Sequence, residues 1–182
     1  MNMMCINIIN SDSPWHEAHS HNKDALLDKA WIKWFLNRWG FPAELSECEN
    51  TFELLDGLRS LLSGAVDILL AGEELPQESI IKMNRYMAGS AMHYEIKAKD
   101  RQYQLSLSPE KSDWNHVLSE ITASFARLIS ESDTTRLKRC KNPDCRSVFL
   151  DGSKNKARKW CCNTCSSLIK VRRHRERIKN AL

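Results

Sequence analysis

"CKNPDCRSVFLDGSKNKARKWCCNTC", running from Cys140 to Cys165, holds five of the chain's seven cysteines. They fall in two close groups around a polar loop, with Cys140 and Cys145 before it and Cys161, Cys162 and Cys165 after it. Paired thiols separated by a loop suit a tetrahedral Zn²⁺, because each pair spans one edge of the tetrahedron. Pro143 and Asp144 favour a tight turn inside the first pair. The loop offers only Val148, Phe149, Leu150 and Trp160 as large apolar groups, too few for a core of its own. A segment this small needs a staple, and structural zinc supplies about 10–16 kcal/mol of apparent free energy in such peptides. The competing readings are unliganded thiols or two disulfides; close pairing at both ends favours zinc. Four thiolates would close the coordination sphere and leave no open position for catalysis. Spacing alone does not choose between Cys161–Cys165 and Cys162–Cys165 as the second pair.

The residues that follow are strongly basic. "SSLIKVRRHRERIKNAL" places Leu168, Val171, His174 and Ile178 on one stripe of a helix, and that stripe is expected to pack on the metal module or on the rest of the chain. Lys170, Arg172, Arg173, Arg175, Arg177 and Lys179 cover the other faces. Lys154, Lys156, Arg158 and Lys159 form a second basic cluster in the loop. Guanidinium forks suit phosphate oxygens and guanine edges, so these two clusters are the expected nucleic-acid contacts. Trp160 is the single aromatic close to the loop charges, which argues against an extended base-stacking platform for single strands.

The net charge of +4 conceals this asymmetry. From Arg136 to Leu182 there are 15 Lys and Arg against three acids, whereas positions 1–135 carry 12 basic and 20 acidic residues. Halves of opposite sign suggest two modules, 1–135 and 136–182, with different partners. No run of 18 apolar residues crosses a membrane, and the N-terminus lacks the basic start and cleavage site of a signal peptide. The expected compartment is the cytoplasm, where cysteines are reduced and bind metals.

The first 135 residues read as helices with one interruption. "KDALLDKAWIKWFLNRW" (23–39), "ENTFELLDGLRSLLSGAVDILLAG" (49–72) and "PQESIIKMNRYMAG" (76–89) show helical apolar spacing, with Pro76 at a first-turn position. Residues 92–99 and 102–108 alternate instead, predicting a hairpin around Asp100–Arg101, although the turn lacks Gly. "SDWNHVLSEITASFARLISES" resumes a helix capped by Ser112 or Asp113. Trp31, Trp34, Phe35 and Trp39 read as core, and Cys5 and Cys48 as buried or inert thiols. His16, His19 and His21 beside Glu17 and Asp24 could hold a metal or supply a base, but read more simply as a polar loop. No nucleophile–base pair, phosphate loop or paired carboxylate stands out, so no enzyme is expected.

The C-terminal pattern resembles the CGNR-type zinc finger. The resemblance rests on Cys140, Pro143–Asp144–Cys145, Phe149 and Asp151, Arg158, Trp160–Cys161, Cys165 and the basic run Val171–Arg177. Through Trp160 it favours Cys161 over Cys162 as third ligand. The name-giving Cys-Gly-Asn-Arg is here Cys165-Ser166-Ser167-Leu168, so only the cysteine carries over, with Ser166 suited to a helix N-terminus. The first 135 residues resemble the ABATE domain that precedes this finger, through "INIINS", "FLNRWG" and the helix–hairpin–helix order. Together the resemblances imply a stress-induced transcription regulator with one structural Zn²⁺ and a DNA partner. The N-terminal domain would sense a small-molecule effector, and homodimerisation is a further option. The expected fold is therefore α+β and mostly helical: an N-terminal helical domain with a small β-hairpin, then a small zinc finger with a basic helix. The alternative is a protein-interaction module whose basic finger docks an acidic partner or its own N-terminal half.

Overall fold

A computed structural model describes residues 3–13 and 24–180. His16, His19, His21 and Glu17 lie outside the described residues. Asp24 lies inside them, and its carboxylate is gripped at both oxygens by Arg59, at 2.7 and 2.6 Å.

Among the described residues six α-helices and two antiparallel hairpins follow one another: α1 (Met4–Ile9), α2 (Lys29–Trp39), α3 (Thr51–Leu70), α4 (Gln77–Ala88), β1 (Met92–Lys99), β2 (Gln102–Pro109), α5 (Trp114–Glu131), β3 (Leu137–Arg139), β4 (Val148–Leu150) and α6 (Asn163–Lys179). The fold is mostly helical with a small hairpin in its N-terminal part, as the sequence predicts, and it adds a second short hairpin, β3–β4, that the sequence does not announce. The core is built from apolar residues three and four apart: Leu55, Leu58, Leu62 and Val66 on α3, and Val117, Ile121, Phe125 and Leu128 on α5. Trp31 and Phe35 of α2 are buried there and stacked at 5.5 Å, while Trp34 and Trp39 pack against its edge. Cys5 is buried, but Cys48 is exposed.

The boundaries differ from the sequence reading where a polar side chain can cap. The predicted first long helix is split, because Asp28 accepts a bond from Ala30 N at 2.9 Å and so starts α2 at Lys29. Ala25–Leu27 form a separate 3₁₀ turn, capped in the same way by Asp24. Capping by a short carboxylate outweighs apolar continuity here. Asp113, rather than Ser112, caps α5 by accepting from His116 N at 3.1 Å. Pro76 stands just before α4 rather than in its first turn. Asp100 and Arg101 both adopt positive φ, at 51° and 62°, as a two-residue hairpin turn of the mirror-image type demands even without Gly.

The short β3–β4 hairpin ties the cysteine-rich segment to this body. Leu137 and Val148 point into the helical core, whereas Phe149 faces the cysteines. Arg139 Nε meets Asp67 Oδ1 of α3 at 2.7 Å. Asn10, just after α1, acts as a surrogate strand: its amide donates to Val148 O at 2.8 Å and accepts from Val148 N at 2.7 Å. Two buried main-chain groups, which would otherwise cost about 1–3 kcal/mol each, are thereby satisfied.

Candidate metal centre

Four thiols converge between β3, β4 and the start of α6. Cys140 directly follows β3, Cys145 closes the turn after it, Cys161 stands just before α6 and Cys165 in its first turn. The sulfurs of Cys140, Cys145, Cys161 and Cys165 all lie within 4.8 Å of one another. Cys145 and Cys161 are 3.6 Å apart, and Cys161 and Cys165 3.8 Å. A tetrahedral ion with Zn–S bonds near 2.3 Å requires sulfurs about 3.8 Å apart, so the donor set fits Zn²⁺. Cys162 stands outside this quartet, with its sulfur 3.8 Å from that of Cys161. It is the N-cap residue of α6, so the helix begins at Asn163 and Ser166 falls inside its first turns rather than at its cap.

Local chemistry explains how the quartet is held. Asn142 is buried and makes an Asx turn, its Oδ1 accepting from Asp144 N at 3.3 Å. Arg146, at φ 53°, reverses the chain after Cys145. Several donors aim at the sulfurs: Asn142 Nδ2 at Cys165 (3.4 Å) and Cys161 N at Cys140 (3.5 Å). Ser147 Oγ lies 3.0 Å from Cys145 Sγ and pairs at 2.7 Å with Ser13 Oγ, which also donates to Cys145 O at 3.1 Å. Such outer bonds orient thiolate ligands and disperse their charge. Asn10 and Ser13 escaped the sequence reading, and their only signal was an unusually polar stretch, "NSDS", directly after the apolar "INII".

The electrostatics are those of a site built for a dication. A bond from Cys161, with further help from Ser147 and Ser13, pulls the Cys145 thiol down to about 4. Cys161 is pushed far up by the same partner and by burial. Burial pushes Cys165 up to about 12. Without metal, the quartet holds thiolate and thiol side by side; a bound Zn²⁺ removes that conflict.

The long loop after β4 is organised by Asp151, which is fully buried. Burial alone would raise its carboxyl. Bonds from Lys138 Nζ (2.6 Å), Ser153 N (2.8 Å) and Arg158 N (2.9 Å) instead hold it well below the usual carboxylate range.

Among the expected nucleic-acid contacts, several are engaged within the chain. Arg158 lies over the Phe149 ring at 5.3 Å and donates to Trp160 O at 2.8 Å and to Cys161 O. Lys156 pairs with Asp133 at 2.6 Å, and Arg172 with Asp144. Lys154, Lys159, Lys170, Arg173, Arg175 and Arg177 are exposed and make no ion pair with a described residue. The apolar stripe of α6 does not pack as the sequence suggested. Leu168 is half-buried, but Val171, His174 and Ile178 are exposed. The helix is fixed through buried Cys165 at its start, and three apolar residues and a histidine spread over three turns cannot hold the rest down.

Residues 136–178 match the family model of the CGNR zinc finger. The match spans the quartet, Asp151 and nearly all of α6. No curated protein matches the chain. The cysteine-rich module is thus a zinc-finger module whose four thiols fit one structural Zn²⁺. No helix among the described residues is long and apolar enough to cross a membrane.

Proposed function

We propose that the protein is a cytoplasmic, non-enzymatic, DNA-binding transcription regulator in two parts, 1–135 and 136–182, the second presenting α6 to the phosphate backbone. The observation that carries this is a basic helix of 17 residues, exposed on every face beyond Lys170, projecting from a metal-stapled base. Among the described residues Arg173, Arg175 and Arg177 have no acidic partner, and loop residues Lys154 and Lys159 extend the positive surface. Zinc acts structurally: four thiolates complete its coordination and hold the first turn of α6. Isolated helices of this length are marginal in water, and a groove that neutralises the arginines would stabilise it. Arg172 and Arg158 act mainly within the fold, the first on Asp144 and the second on the Trp160–Cys161 backbone.

Fluorescence anisotropy with duplex DNA at several salt concentrations tests this. The log affinity should fall linearly with log salt, at about −0.9 per phosphate neutralised. Arg173→Glu/Arg175→Glu/Arg177→Glu should abolish binding and leave zinc content unchanged. A flat salt dependence would contradict the reading. Binding of an acidic protein instead would favour the interaction-module alternative, which the Arg139–Asp67 and Lys156–Asp133 ion pairs support: basic residues of the finger already meet acidic residues of the N-terminal half there.

A groove between α3, α4 and α5 supports an effector role for the first part. It encloses about 620 Å³ and is lined by Leu54, Leu61, Tyr86 and Leu118, with Lys82 and Arg85 in its walls. That volume lies in the range of small-molecule sites, and the lining suits an apolar compound with an anionic group. The ABATE resemblance supplies stress sensing as the matching role. Leu61→Trp, which would fill the groove, should remove any effector response while DNA binding persists.

A further inference from the structure

The β1–β2 hairpin divides its side chains cleanly between its two faces. Its register pairs Met92 with Pro109, Tyr94 with Leu107, Ile96 with Leu105 and Ala98 with Tyr103. Directly opposed residues share a face, so one side of the hairpin carries these eight residues and no charged one. The opposite side is wholly polar: His93, Glu95, Lys97 and Lys99 facing Ser108, Ser106, Gln104 and Gln102. Its one acid is engaged on that face, with Glu95 accepting from Lys97 and, at 2.9 Å, from Ser108. The polar face needs nothing more.

The apolar face lacks cover. Tyr94 and Ile96 are each 73 % exposed, Tyr103 84 %, Leu105 65 % and Leu107 55 %. With aromatic side chains burying 150–250 Å² each, this face offers roughly 700–800 Å² of apolar surface. That exceeds the patches of about 300–600 Å² usual on monomers and equals the ~800 Å² that each partner contributes to a standard interface. A two-stranded hairpin is also marginal alone in water and gains stability when its apolar face is covered.

We propose that this face is a dimerisation surface, covered by the same face of a second copy of the chain. The area matches what one copy must bury in a stable dimer. The face carries no charge, its polar side-chain groups being the Tyr94 and Tyr103 hydroxyls, and so has no ionic group with which to select a charged partner. A two-fold arrangement is self-complementary by construction, setting the same aromatic and aliphatic residues of both copies against one another. The proposal is independent of what α6 binds.

Sedimentation equilibrium of the zinc-loaded full chain tests it, with reductant present so that exposed Cys48 forms no cross-link. The parent should sediment at twice the monomer mass at micromolar concentration. Ile96→Glu/Leu105→Glu should weaken association roughly a hundredfold or more, as removal of central interface anchors does. Lys97→Glu/Gln104→Glu, on the polar face, should leave the dimer intact. Unchanged zinc content and far-UV dichroism show that each variant is folded. In the parent, amide protection across 92–109 should rise with protein concentration, a readout that needs no variant. A parent that stays monomeric, or a dimer that survives Ile96→Glu/Leu105→Glu, would overturn the proposal.

Discussion

The two hairpins of this protein are opposites. β1–β2 has eight residues in each strand, an ideal alternation and an unbroken register, yet it packs on almost nothing. β3–β4 has three residues in each strand and hardly any pattern, yet it joins everything. One of its faces enters the helical core through Leu137 and Val148, and Phe149 leans on the cysteine quartet. Asn10 completes its outer edge. The difference shows that regularity of sequence and importance to the fold are separate quantities. Local alternation makes a strand legible, whereas tertiary wiring makes it indispensable.

Removal of zinc should widen the contrast most. Chelation forfeits stabilisation on the order of 10 kcal/mol in a small metal module. Hydrogen exchange should then show 137–150 and the start of α6 exchanging freely, while α3 and α5 keep their protection. Equal loss in all of these would mean that the helical core, too, depends on the metal.

Acid should act in the same direction. Because Cys161 and Cys165 are raised above the usual thiol range, both carry protons in the metal-free quartet at neutral pH, and zinc must displace them. Apparent zinc affinity, measured by competition with a chromogenic chelator, should fall at least about a hundredfold for each unit that pH drops through the neutral range. The Cys145 thiol, pulled down to about 4, adds nothing until far lower pH.

Asn10→Ala is the sharper probe of wiring. It leaves the buried N–H and C=O of Val148 unpaired, and should cost about 2–4 kcal/mol in urea unfolding of the zinc-loaded protein. Ser13→Ala, which removes only a hydroxyl near Cys145, should cost nearer 1 kcal/mol and weaken zinc binding about tenfold. The smallest effect belongs to the regular hairpin: Lys97→Ala, on its solvated face, should shift stability by less than about 0.5 kcal/mol.

What could be read in advance follows the same division. The apolar spacing of Leu55, Leu58, Leu62 and Val66 gave α3 away, and the alternation from Met92 to Ser108 gave the long hairpin. The metal quartet was visible because zinc imposes short, fixed spacings on its ligands, although spacing left Cys161 and Cys162 equivalent. Distance separates them, since Cys161 joins the quartet and Cys162 serves as the N-cap residue of α6. The six-residue α1 was too short to show a helical period, and β3 and β4 too short to show alternation. Asn10 and Ser13 act on residues more than 130 positions away, with no local pattern to announce it. The α6 stripe misled for the reverse reason: its spacing is helical, but Val171 and Ile178 stay exposed and join no core cluster among the described residues.

The central claim is that one zinc, held by Cys140, Cys145, Cys161 and Cys165, organises the C-terminal module. Metal content per chain, measured on protein purified without added zinc beside Cys161→Ser and Cys162→Ser, tests it most directly. One zinc in the parent, lost from Cys161→Ser and retained by Cys162→Ser, is the expected result. A parent without zinc, or a Cys161→Ser variant that keeps a full equivalent, would contradict it.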